Sequence, residues 1–128
     1  MLTAGMVFAV LASALHVLIF YMESIAWEGA LARKTFGGTP EEVRPHAFYA
    51  FNQGFYNLFL ALQAIIGVVL AALGYAAIGA ALILAGTGAM LAAAVVLALA
   101  SAPHRSAAAK QGTFPLLAVV CTLAALLG

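Results

Sequence analysis

The stretch that decides the fold is Ala76–Ala100, which reads AAIGAALILAGTGAMLAAAVVLALA. It contains no charged side chain and one hydroxyl group, that of Thr87. A helix of this length reaches about 37 Å at the usual rise per residue, and the apolar core of a bilayer is about 30 Å thick. The stretch therefore predicts a helix that crosses a membrane.

Three further segments resemble it, and the composition of the whole chain agrees. Of the 128 residues, 66% are hydrophobic and 7% are charged, whereas a soluble domain carries about 25% charged residues. A water-soluble domain this small could not hide so much apolar surface. We predict an all-α membrane protein, a four-transmembrane-helix antiparallel bundle. It forms one domain over residues 1–128, with spans at about residues 2–27, 46–73, 76–100 and 114–127. The fourth span is short, so an earlier start near Ala107 stays open.

The charges exclude some functions and predict an orientation. The net charge of +1 offers no basic field for nucleic acid. All cationic residues fall in the first and third connections between spans: Arg33, Lys34, Arg44, Arg105 and Lys110. The positive-inside rule then places these connections in the cytoplasm and both termini outside. The segment before Met22 has no basic residue, so we expect a retained helix rather than a signal peptide.

The first connection contains a helix start. In Thr39-Pro40-Glu41-Glu42, Thr39 can cap the helix, Pro40 suits its first position, and Glu42 can complete a capping box. Pro45 then predicts a kink or a second start. The histidines of the connections, His46 and His104, are expected to be solvated or interfacial.

Two ionisable side chains lie within the first span. His16 and Glu23 are seven residues apart, which places them on one face of a helix. Ionisable groups within spans are costly and face the protein interior or a water-filled cavity. We therefore expect both to point toward the bundle. One imidazole, one carboxylate and nearby amides fall short of the ligands that zinc requires, so no metal and no cofactor is expected.

The second span begins with the polar residues Asn52, Gln53, Tyr56 and Asn57. Counting rise per residue from the span ends predicts that His16 lies level with Tyr56 and Asn57. Glu23 would lie level with Asn52 and Gln53. We predict a ligand-binding site from these six residues at the cytoplasmic end of the first two spans. A purely structural role, with the amides bridging two helices, stays open.

Several stretches resemble a known family of small bacterial membrane proteins, catalogued as domain of unknown function 1304. The resemblance rests above all on the run Asn52-Gln53-Gly54-Phe55-Tyr56-Asn57, and it extends over essentially the whole chain. His16, Glu23, the segment Gly86–Gly88 and the segment Gln111–Leu116 fit the same pattern. The resemblance implies four spans in a bacterial inner membrane, and it implies no particular activity.

Three functions remain open on the sequence, of which we favour the first. It is the binding or transport of a small molecule or a proton, with Glu23 as counter-charge and His16 as titrating partner; transport would require a homo-oligomer. The second is a structural or accessory subunit of a larger membrane complex, docked through the third span. The third is an intramembrane enzyme acting on lipid or quinone, although no nucleophile with a neighbouring base is found. No catalytic residue is therefore assigned, and membrane lipids are the one general partner expected.

Overall fold

The computed structural model describes every residue from Met1 to Gly128, and it contains helices and no strand. The long helices are α1 (Leu2–Phe20), α4 (Ala47–Ala72), α5 (Ala76–Ala100) and α6 (Arg105–Leu127); the short helices α2 (Ala30–Phe36) and α3 (Pro40–Val43) lie in the first connection. The four segments that contain the long helices are each long and apolar enough to cross a membrane. The chain is a membrane protein.

The four long helices form a closed ring. Each packs against its neighbours along the chain, and α1 also packs against α6. Because successive helices run in opposite directions, the bundle is antiparallel, as the sequence predicted. The C-terminal end of α1, both short helices and the start of α6 consequently meet at one end of the bundle, which we call the charged end.

Two helix boundaries differ from the expected spans. The last helix begins at Arg105 rather than near residue 114, because apolar content marks the lipid-facing part of a helix and not its polar first turns. Ala107–Ala109 and Lys110 are good helix formers that extend it. The first span does not continue as α-helix to Trp27. Its last residues, Tyr21–Ile25, form a π-helical turn, in which the amide of Ala26 donates to the carbonyl of Tyr21 at 2.9 Å.

Small residues set the distance between the helices at the end opposite the charged one. A Cβ atom on Gly67 of α4 would lie 2.7 Å from the carbonyl oxygen of Gly79 in α5, so the two backbones are nearly in contact. Gly5 of α1 approaches the backbone of Thr122 in α6 in the same way. Such close approach is how helices associate in lipid, where dispersion and shape replace the hydrophobic effect.

The first connection folds back against the charged end. Thr39 and Glu42 form the expected capping box at the start of α3. The indole Nε1 of Trp27 donates to the carbonyl of Val43 at 2.8 Å. Arg44 pairs with Glu28 at 2.8 Å, and this hydrogen-bonded guanidinium lowers the pKa of the Glu28 carboxyl. The connection is thus fixed to the end of α1 by specific contacts.

The glycine contact between α4 and α5 gives a prediction about stability. Replacing Gly67 with alanine places a methyl group against backbone atoms of α5, which cannot move without separating the helices. We expect this overpacking to cost about 1–3 kcal/mol of unfolding free energy. Thermal unfolding of the detergent-solubilised protein measures it.

Gly88→Ala is the matched control. Gly88 also lies within a helix, but nothing lies within 4 Å of a Cβ atom placed there. The better helix propensity of alanine favours both variants alike, so the difference between them reports packing. Equal melting temperatures would contradict a close α4–α5 contact.

Candidate functional site

A cavity of about 350 Å³ lies between the four long helices at the charged end. We call it the central cavity. Its polar lining consists of His16, Glu23, Gln53, Tyr56, Asn57, His104 and Gln111. The remaining wall is apolar and includes Ile19, Phe36, Leu60, Met90 and Leu97. A mostly apolar pocket with a few converging polar groups is typical of a small-molecule site.

The imidazole of His16 is 3% exposed, and its hydrogen-bond roles are fixed. Its Nδ1 lies 2.9 Å from the carbonyl oxygen of Ala12 one turn earlier. Since a carbonyl can only accept, Nδ1 carries the proton of this hydrogen bond. In the neutral ring, Nε2 is therefore an acceptor, and it has no hydrogen-bond partner in the protein.

Only one of the two carboxylate oxygens of Glu23 has a hydrogen-bond partner. Its Oε2 accepts a hydrogen bond of 2.8 Å from Nδ2 of Asn57. The same Nδ2 also donates to the carbonyl of Gln53 at 3.2 Å, which holds the amide in place. The other carboxylate oxygen, Oε1, makes no hydrogen bond within the protein. Glu23 therefore keeps an unpaired acceptor beside the cavity.

The close packing of α1 and α4 brings these groups together. A Cβ atom on Gly54 would lie 3.1 Å from Cβ of Glu23, so α4 touches the π-helical turn where Gly54 has no side chain. Two hydrogen bonds fix the register: Ser24 donates to the carbonyl of Phe51 at 2.7 Å, and Ser13 donates to that of Ala61 at 3.2 Å.

This register agrees with the depths counted from the sequence to within about two residues. The Cβ atom of Glu23 lies beside Gly54, next to the expected Asn52 and Gln53. The carboxylate differs from expectation, because it extends to Asn57 rather than to Asn52.

Five of the six residues predicted from the sequence line the central cavity: His16, Glu23, Gln53, Tyr56 and Asn57. Asn52 does not, and its side chain is exposed. The reason is geometric. Gln53, Tyr56 and Asn57 fall within an arc of about 100° around α4. Asn52 lies about 40° beyond Tyr56, outside that arc, so grouping Asn52 with Tyr56 as one stripe extended the stripe past the face that lines the cavity.

Sequence reasoning missed two polar residues contributed by the other side of the bundle. His104 and Gln111 line the cavity from the start of α6. His104 is half-buried at the charged end, and its Nδ1 lies 2.6 Å from the hydroxyl of Ser101. One feature of the sequence could have identified Gln111, namely the proline four residues after it. Pro115 is fully buried on the same helix face, and because proline has no backbone N–H, it cannot donate to the carbonyl of Gln111.

Two acceptors on residues that line the cavity have no partner within the protein: Nε2 of neutral His16 and Oε1 of Glu23. No three His, Cys, Asp or Glu side chains come together as a metal site. The chemistry available is the binding of hydrogen-bond donors beside an apolar and aromatic wall.

Comparison with known proteins identifies the family of this chain and assigns no activity to it. No curated protein and no solved structure matches the chain. The family model described as "Protein of unknown function (DUF1304)" matches residues 10–123. The matched range contains every polar residue that lines the central cavity, and it confirms the resemblance carried by the run from Asn52 to Asn57. The chain belongs to the DUF1304 family.

Proposed function

We propose that this protein binds a small amphiphilic molecule with a cationic, hydrogen-bond-donating head group in its central cavity. We further propose that the membrane is the bacterial inner membrane. The charged end then faces the cytoplasm, and both termini lie outside. The ligand would enter from the cytoplasmic side.

One observation carries the proposal. The two ionisable side chains of the first span are His16, which is buried, and Glu23, which is half-buried. Both line the same cavity, and each keeps an acceptor without a protein partner. Polar groups in a membrane are expensive unless they are paired. A bound ammonium group would supply the missing donors and neutralise the carboxylate.

The wall of the cavity supports an amphiphilic ligand rather than a bare ion. Phe36, Leu60, Met90 and Leu97 form an apolar surface facing the polar groups. Methionine side chains adapt to ligands of varied shape. A short hydrocarbon tail would find matching surface there, while its head group reaches Glu23.

The opposite end of the bundle favours binding over transport by a single chain. Ala9, Ile83 and Ala118 are completely buried there, and the glycine contacts leave no space between backbones. No cavity extends into that end. A route across the membrane would require these helices to separate, so transport would depend on a second copy or another subunit.

The small residues of the third span do not favour the accessory-subunit alternative. Gly79 and Gly86 of α5 lie against the backbone of α4, so they are used inside the chain. A docking surface for a partner is therefore not needed to explain them.

Replacing Glu23 with glutamine tests the proposal. The probe is n-octylamine, with n-octanol as its uncharged counterpart, added to protein in lipid nanodiscs. Trp27 is the only tryptophan, and its ring packs 5.8 Å from that of Phe36, which lines the cavity. Its fluorescence thus reports binding. We expect Glu23→Gln to weaken octylamine binding about tenfold or more, because a charge-assisted hydrogen bond is lost.

Glu41→Gln is the control for this experiment. It removes the same charge from an exposed side chain outside the cavity, and binding should stay at the wild-type level. Octanol should bind more weakly than octylamine to the wild-type protein and to Glu41→Gln, but not to Glu23→Gln. Equal affinities of the two probes, or unchanged octylamine binding by Glu23→Gln, would refute a cationic ligand at this site.

Cysteine labelling tests the orientation and the access of water. In a background with Cys121→Ala, Gln111→Cys lies on the cavity wall and Thr3→Cys is exposed near the opposite end. We expect a membrane-impermeant thiol reagent to modify Thr3→Cys in intact cells and Gln111→Cys only in inverted membrane vesicles. The reverse pattern would invert the proposed orientation.

A further inference from the structure

A second cavity, of about 340 Å³, lies on the outer side of the bundle between α1, α2 and the start of α6. We call it the lateral cleft. Leu15, Leu18 and Ile19 of α1 and Met22 of the π-helical turn form its apolar floor. Lys34 and Thr35 of α2 and Lys110 of α6 also line it.

The lateral cleft combines an apolar floor with two cationic side chains. From Leu15 to Met22 the floor runs about 10 Å along the first span. Lys34 lies in the first connection at the charged end, and Lys110 lies in the second turn of α6, level with the middle of the floor. No Asp or Glu lines the cleft. Two cations beside an apolar trough match a molecule with an anionic head and a hydrocarbon tail.

The two lysines differ from the three arginines of the chain in their hydrogen bonding. Arg33 donates to the carbonyl of Glu28, Arg44 to the carboxylate of Glu28, and Arg105 to the carbonyl of Ala98. Each arginine of the chain thus has an acceptor within the protein. Lys34 and Lys110, the two lysines, make no hydrogen bond and no ion pair, and both line the lateral cleft.

The two lysines also belong to elements that hold each other weakly. The main packing of α2 is against the π-helical turn at the end of α1 rather than against α6. A ligand that contacts both ammonium groups would brace α2 against α6. Phe36 and Gln111 line both the lateral cleft and the central cavity, so a molecule in the cleft would also support the wall of the central cavity.

From these observations we propose that the lateral cleft is a binding site for one anionic phospholipid, whose phosphate contacts Lys34 and Lys110 and whose acyl chain lies along α1. Basic pockets between helices at the membrane surface are suited to acidic head groups. This site takes a ligand of opposite charge to that of the central cavity, so the two proposals stand independently.

Native mass spectrometry of the full-length protein tests the inference. The protein is released from micelles that contain phosphatidylglycerol or phosphatidylcholine at equal concentration. We expect one phosphatidylglycerol to be retained per chain, and phosphatidylcholine to be lost. In Lys34→Gln/Lys110→Gln, the affinity for phosphatidylglycerol should fall by about fivefold for each lysine removed.

Arg33→Gln/Arg105→Gln is the matched control, because it removes two positive charges from the same end of the bundle without touching the cleft lining. Its lipid retention should equal that of the wild type, and Lys34→Arg/Lys110→Arg should also retain the lipid. Three results would overturn the proposal: equal retention of phosphatidylcholine, equal loss in both glutamine variants, or displacement of the lipid by inorganic phosphate, which would indicate a site for free phosphate.

Discussion

The structure depends on how closely its helix backbones approach one another. In a bilayer the lipid is as apolar as the side chains, so helices gain by contact only where their shapes fit. At one end, glycine lies against glycine between α4 and α5, and Gly5 lies against Thr122 between α1 and α6. This end is closed. At the charged end, Gly54 still brings α4 against the π-helical turn that follows α1, and the four helices surround the central cavity beside this contact. Close backbone approach therefore closes one end of the bundle and brings the polar groups together at the other.

The second constraint is electrostatic, and it accounts for the polar residues that line the cavity. A histidine and a glutamate inside a membrane span need polar surroundings. The protein provides part of them: Ala12 for His16, and Asn57 for Glu23. A purely structural network would satisfy both partners fully. Here Nε2 of His16 and Oε1 of Glu23 have no hydrogen-bond partner in the protein, and both residues line the cavity, which supports the ligand proposed above.

The polar connection after α1 completes the site. The π-helical turn ends the first span, and α2 folds back so that Phe36 forms part of the cavity wall. Contacts of Trp27 with Val43, and of Glu28 with Arg44, hold the connection there. The same segment carries Lys34 to the lateral cleft. A short, mostly polar loop therefore borders both candidate sites and places them on one side of the membrane.

The sequence by itself determined the four membrane helices, their antiparallel order and the capping box at Thr39, because these follow from local composition and spacing. It also selected five of the polar residues on the cavity wall. Tertiary structure decided the rest. The π-helical turn, the orientation of Asn52 away from α1, and the entry of His104 and Gln111 into the cavity depend on which helix faces pack together. In lipid those faces are chosen by the fit of backbones, which a pattern read along one helix does not contain.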